Sequence, residues 1–99
     1  MKSEQRPIVV VGGGAAGLVT ALAAAPAPVW LVSRNANGYG TATALAQGGI
    51  AAALADKDTP AAHARDTLVA GARHNDVAMV RWLCGRAPAA IAWLKGQGV

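Results

Sequence analysis

Gly12, Gly13, Gly14, Ala15, Ala16 and Gly17 stand directly behind the apolar run Ile8-Val9-Val10-Val11 and directly before Leu18-Val19. Gly12, Gly14 and Gly17 satisfy G-x-G-x-x-G, the spacing of a dinucleotide-binding turn. Each glycine has its own reason. Gly12 lets the chain turn sharply out of a strand, Gly14 lets a pyrophosphate approach bare backbone, and Gly17 lets the following helix pack close to the strand. The N–H groups of the first helical turn have no partners inside the helix and carry the positive end of its dipole. The chemistry implied is the binding of a phosphate-bearing cofactor. A glycine-rich turn that binds nothing would share the glycines; the strand before it and the alanine-rich helix after it supply the context that a nucleotide site requires.

Other reactive side chains do not assemble into a constellation. Units that bind NAD or FAD usually carry an acid about 20 residues beyond the glycines, to hold the ribose hydroxyls. Here that place reads Ser33-Arg34-Asn35, and the absence of the acid weakens an ordinary NAD reading. Ser33 can hydrogen-bond a ribose or adenine, and Arg34 fits either a phosphate contact or an exposed loop. His63 and His74 have no cysteine or carboxylate at metal-ligand spacing, so no metal site is expected. His63 reads as a solvent-facing helical residue and His74 as one at a helix end. Cys84 falls on an apolar stripe and reads as an inert core thiol, and Trp82 and Trp93 read as packing groups. Asp56, Asp58 and Asp66 form no recognisable acid–base pair. No catalytic residue is assigned.

The elements that must position the glycine turn follow from the apolar pattern. Ile8–Val11 is a buried strand, Ala15 to about Ala25 a helix stopped by Pro26 and Pro28, and Val29-Trp30-Leu31-Val32 a second, parallel strand. Residues 35–43 read as a polar loop. In Ala44–Leu54 the adjacent Gly48 and Gly49 imply either close approach of the backbone to something flat or a tight turn between packed elements, with Gln47 the one strong hydrogen-bonding side chain. Thr59 and Pro60 start a helix that runs to about Arg73, with Arg73 and His74 in its last turn. Asn75-Asp76 caps another, about Val77 to Arg86, whose stripe is Val80, Leu83, Cys84 and Ala87. Pro88 breaks or restarts the pattern, and Ile91 and Leu94 carry a last short helix.

Bulk composition excludes several classes. The chain has 99 residues and a net charge of +4, which suits one small α/β domain at most. Its Lys and Arg residues are scattered, without a run and without aromatic interleaving, so no nucleic-acid partner is expected. A single cysteine excludes an internal disulfide and suits a cytoplasmic setting. Apolar stretches end short of the ~18 residues that a membrane span needs.

Three stretches carry a family resemblance: Val9–Leu18; Ala46-Gln47-Gly48-Gly49-Ile50-Ala51-Ala52; and Asp66-Thr67-Leu68-Val69-Ala70-Gly71-Ala72. With Ala87-Pro88-Ala89-Ala90-Ile91-Ala92-Trp93-Leu94 and Gly98-Val99, they resemble the N-terminal portion of the L-aspartate oxidases, within the FAD-dependent succinate dehydrogenase and fumarate reductase superfamily. The resemblance implies the N-terminal βαβ part of a Rossmann-like FAD-binding domain followed by helices. Residues 1–55 would be the start of that domain with its flavin-contact loop, and 56–99 a helical continuation. The resemblance places Gly12, Gly13, Gly14, Ala15, Ala16 and Gly17 at the pyrophosphate and Ser33 and Arg34 at the end of the second strand. Ala42, Thr43, Ala44, Leu45, Ala46, Gln47, Gly48 and Gly49 would run past the flavin ring. Ala42 occupies the position where the succinate and fumarate enzymes attach flavin through a histidine, so FAD is expected to be non-covalent. The implied chemistry is oxidation of L-aspartate to iminoaspartate, feeding quinolinate and NAD synthesis, with quinolinate synthase a candidate partner. The family's later residues, which hold and oxidise substrate, have no counterpart in this sequence, so this chain alone is expected to be inactive. The alternatives are a non-catalytic remnant and another FAD-dependent oxidoreductase of the superfamily.

Overall fold

A computed structural model describes residues 4–36 and 39–99. Met1–Ser3 of the polar N-terminus and residues 37–38 of the expected loop lie outside the described residues. The chain is a mixed α/β protein with a two-stranded parallel sheet and helices, ordered β1 (Ile8–Val11), α1 (Ala15–Ala23), β2 (Val29–Val32), α2 (Ala42–Leu45), α3 (Pro60–Ala70) and α4 (Val77–Gly96). It divides into two compact units, residues 1–49 and 50–99.

In the first unit β1 and β2 pair in register, Ile8 with Val29 through Val11 with Val32. β-branched residues fill β1 and, with the aromatic Trp30 and with Leu31, make up β2; stiff β-branched side chains pack well on a pleated surface. Val10 is buried. Gly17 in α1 lies over the same layer, where a Cβ would come within 3.6 Å of Leu31 Cδ1. Side chains alternate across a sheet, so Val9, Val11, Trp30 and Val32 point to the opposite face, and all four are exposed. α1 ends at Ala23, two residues before the expected end: the N–H groups of Ala24 and Ala25 bond back to Thr20 and Leu22 carbonyls in a closing turn ahead of Pro26.

The polar loop expected over residues 35–43 is shorter than that reading. Among the described residues, α2 begins inside it at Ala42, because the Thr41 hydroxyl accepts a bond from the Ala44 N–H at 3.1 Å and caps the turn.

The second unit is the α3–α4 pair. The Thr59 hydroxyl caps α3 by accepting from the Ala62 N–H at 3.1 Å, and the Asp76 carboxylate caps α4 by accepting from the Met79 N–H at 2.8 Å. α3 stops at Ala70, short of the expected Arg73. The N–H of Ala72 bonds to the Val69 carbonyl and that of Arg73 to the Leu68 carbonyl, the paired closure of a Schellman motif. Ala72 and Arg73 therefore sit at φ +50° and +60°, outside the helix, and no basic residue occupies its last turn.

The core of this unit is Ala64, Val80 and Cys84 with Leu68 packed against them. Ala64 and Leu68 on one helix, and Val80 and Cys84 on the other, are i,i+4 pairs that share a ridge. Leu83, expected on the same stripe, lies off that ridge and is 53% exposed. The break expected at Pro88 does not occur: α4 runs through it to Gly96. A proline inside a helix forfeits one hydrogen bond and crowds the carbonyl four residues back. The alanines that follow Pro88 and the packing of α4 on α3 carry the helix past that cost. Among the described residues, no helix is long and apolar enough to cross a membrane.

Candidate functional site

The site forms where β1 ends and α1 begins. Gly12 takes φ +121°, a conformation that side chains resist, and its N–H still bonds to the Val32 carbonyl at 2.8 Å. The chain thus leaves the sheet at its last ladder bond. At Gly17 a Cβ would collide with the Gly12 carbonyl oxygen. These two glycines set the helix close against the strand, as the fingerprint predicts.

The middle glycines meet side chains. A Cβ on Gly13 would come within 2.6 Å of the Ser33 Oγ, and one on Gly14 within 3.2 Å of the Thr43 Oγ1. The hydroxyls of Ser33, from the end of β2, and of Thr43, from α2, therefore flank the turn. The Thr43 Oγ1 accepts the N–H of Ala15 at 3.0 Å. Gly14, the N-cap of α1, offers no side chain to do this, and the first turn of the helix holds no acidic residue.

Among the described residues, the N–H groups of Gly13, Gly14, Ala16 and Gly17 make no hydrogen bond. One amide of the first turn is spent on Thr43; the others remain available at the positive end of the helix dipole. This is the donor set that an anionic phosphate requires.

Other expected site residues sit nearby in sequence without joining the turn. Arg34 is exposed at the end of β2, and Ala42, Ala44, Leu45, Ala46, Gln47, Gly48 and Gly49 are exposed along and after α2. A Cβ on Gly48 or Gly49 would meet no heavy atom within 4 Å, so no packing neighbour of this structure requires glycine at either position.

The second unit brings together residues that the sequence suggested separately. His63, Thr67, Trp82, Cys84 and Arg86 line one groove. His63 is half-buried with its Nδ1 occluded and unbonded, not facing solvent as expected. Burial of the ring follows from its place one residue before the core Ala64, on the face that α4 covers. Trp82 is 56% exposed and carries the Arg86 guanidinium 5.0 Å from its ring centre; it is a stacking platform and not the packing group expected. Cys84 is buried, with its Sγ 3.8 Å from the Thr67 hydroxyl, in keeping with an inert thiol. Among the described residues no group of His, Cys, Asp or Glu could hold a metal ion.

The cap from Thr43 to Ala15 escaped sequence reasoning because its partners lie 28 residues apart. The available signal was the absence of any Ser, Thr, Asp or Asn at Gly14, which leaves the helix to find a cap elsewhere.

A parallel strand–helix–strand order with unspent amides at the carboxyl end of the strands is the arrangement in which open α/β sheets bind phosphate-bearing ligands. Comparison with known proteins makes the class particular. Residues 7–99 match the FAD binding domain family model, and the chain belongs to that family; FAD is its cofactor. L-aspartate oxidase of Agrobacterium fabrum is 50% identical over 91 residues, covering 92% of this chain and 17% of that protein. L-aspartate oxidases of Nostoc sp. and Synechocystis sp. are 45% and 46% identical over 97% and 100% of this chain, and over 17% and 18% of their own lengths. The chain thus spans less than a fifth of the length of the curated relatives it matches. No solved structure matches it.

Proposed function

We propose that this chain is the N-terminal FAD-binding segment of an L-aspartate oxidase, the start of a Rossmann-like domain whose first βαβ unit is β1–α1–β2. Residues 1–55 would open the domain and 56–99 continue it. The carrying observation is the glycine turn: its amides at Gly13, Gly14, Ala16 and Gly17 are unspent, and it lies in a chain matched almost end to end by the FAD binding domain model.

In this reading the Gly12–Gly17 turn holds the pyrophosphate through the main-chain N–H groups of Gly13, Gly14, Ala16 and Gly17, while those of Gly12 and Ala15, also expected there, are already bonded to the Val32 carbonyl and the Thr43 hydroxyl; affinity comes from backbone and helix dipole. Ser33 supplies a hydroxyl at the end of β2 and Arg34 a cation beside it. Ala42–Gly49 pass the flavin ring, with small side chains at Ala42, Thr43, Ala44 and Ala46 and none at Gly48 and Gly49. Ala42 offers only a methyl group, so the cofactor is held non-covalently. When bound, FAD supplies the hydride acceptor for oxidation of L-aspartate to iminoaspartate in a cytoplasmic route to quinolinate and NAD. Docking to quinolinate synthase would pass on the unstable product. The groups that bind aspartate belong to the larger protein.

Ala16→Glu tests the reading cleanly. Ala16 is exposed in the first turn of α1, where a carboxylate favours the helix by about 0.3–1 kcal/mol. The same charge repels a pyrophosphate. FAD titration followed by flavin fluorescence is expected to show at least tenfold weaker binding in the variant, with helix content by circular dichroism unchanged or higher. Equal affinity in the two proteins would overturn the site.

A further inference from the structure

We infer that Thr43 is a positioning residue: it caps helix α1 from outside the helix and so ties α2 to the glycine turn. The inference rests on the FAD reading for its purpose, while the cap itself stands on geometry alone.

Helix α1 begins without a cap of its own. Gly14 occupies the N-cap position in extended conformation and has no side-chain acceptor. N-cap side chains normally accept from the second or third helical N–H. Here the acceptor comes from another element and takes the first: Thr43 Oγ1 lies 3.0 Å from the Ala15 nitrogen. The glycine makes this possible, because a Cβ at Gly14 would stand 3.2 Å from that same oxygen, tighter than an ordinary contact. The absence of a side chain at Gly14 therefore admits the protein's own hydroxyl as well as a cofactor phosphate.

Thr43 is itself held in place. It sits inside α2, whose first turn is closed by the Thr41 hydroxyl on the Ala44 N–H. Thr41 fixes α2, and α2 presents Thr43 to the turn. A hydroxyl that accepts one bond retains its own proton, and among the described residues Thr43 donates that proton to nothing. Accepting from a helix N–H polarises the hydroxyl and strengthens it as a donor. At the mouth of an anion site this leaves one side-chain donor poised beside the free amides.

The test uses Thr43→Val, which keeps the branched shape and loses the oxygen, and Thr43→Ser, which keeps the oxygen. In the full chain without flavin, the Ala15 amide is expected to exchange about fivefold to tenfold faster with solvent in T43V than in the wild type, with T43S close to the wild type. The Gly12 amide, bonded to the Val32 carbonyl, serves as the control for the sheet and should not change. With FAD, T43V should bind about tenfold more weakly and T43S within about twofold of the wild type. Equal exchange of Ala15 in T43V and wild type would overturn the cap whatever the flavin does. Faster exchange in T43V with unchanged FAD affinity would overturn the positioning role. Failure of all three proteins to bind FAD would count against the FAD reading and leave the exchange comparison to decide the cap.

Discussion

Gly17 and Gly48 carry the same side chain for opposite reasons, and substitution separates them. A Cβ at Gly17 would strike the Gly12 carbonyl oxygen, with that carbonyl's carbon at 2.9 Å. Both atoms are backbone, so nothing can rotate aside, and Gly12 is already committed to φ +121°. Overpacking of this kind costs about 1–3 kcal/mol, and more where the backbone cannot shift. Gly17→Ala is therefore expected to unseat α1 from the sheet and remove most protection of the Gly12 amide in hydrogen exchange. At Gly48 a Cβ meets open space, so Gly48→Ala should leave that protection intact. Comparable protection in the two variants would mean that α1 does not rest on the turn as described.

The helices show what the sequence made readable and what it concealed. Local signals were legible: Thr59 before Pro60 and Asp76 before an apolar run gave both caps at the observed residues. The strands were legible because short β-branched runs between breakers admit few alternatives. What depended on partners distant in sequence was not. Only contact with α3 decides that Val80 and Cys84 are inside while Leu83 is out; the end of α3, by contrast, is set by a local turn onto the Leu68 and Val69 carbonyls, which the apolar pattern running on to Arg73 concealed. Pro88 misled as Leu83 did, since its local penalty is real but is outweighed by tertiary packing. That penalty remains stored in α4. Pro88→Ala restores an N–H facing the Cys84 carbonyl and removes the ring, so the free energy of local opening of α4 should rise by about 2–3 kcal/mol. Native-state exchange of the amides in the turn around residue 88 measures it, and no slowing there would show the helix to be already broken in solution.

At the scale of the molecule the decisive fact is uncovered apolar surface on a parallel sheet. Such sheets are normally covered on both faces, yet Val9, Val11, Trp30 and Val32 are 55%, 80%, 64% and 49% exposed on the side away from α1. Two strands and one helix bury little area against the entropy of ordering them, so this unit is only marginally stable by itself. The curated relatives are more than five times as long, and proteins of that length have residues to spend on a second layer. The chemistry is incomplete in the same way. Residues 1–49, which hold the glycine turn, contain no His, Cys or Asp and a single carboxylate, Glu4, so this unit by itself supplies few groups able to take a proton from an amino acid. Two outcomes follow for the 99-residue chain on its own. Urea unfolding followed by tryptophan fluorescence and by circular dichroism should give non-coincident, broad transitions, since each unit loosens by itself. L-aspartate added with FAD should yield no hydrogen peroxide above the free-flavin background. A sharp transition shared by both probes would show that the exposed sheet face needs no cover, and peroxide formed in proportion to chain concentration would place a complete proton and hydride path within these residues.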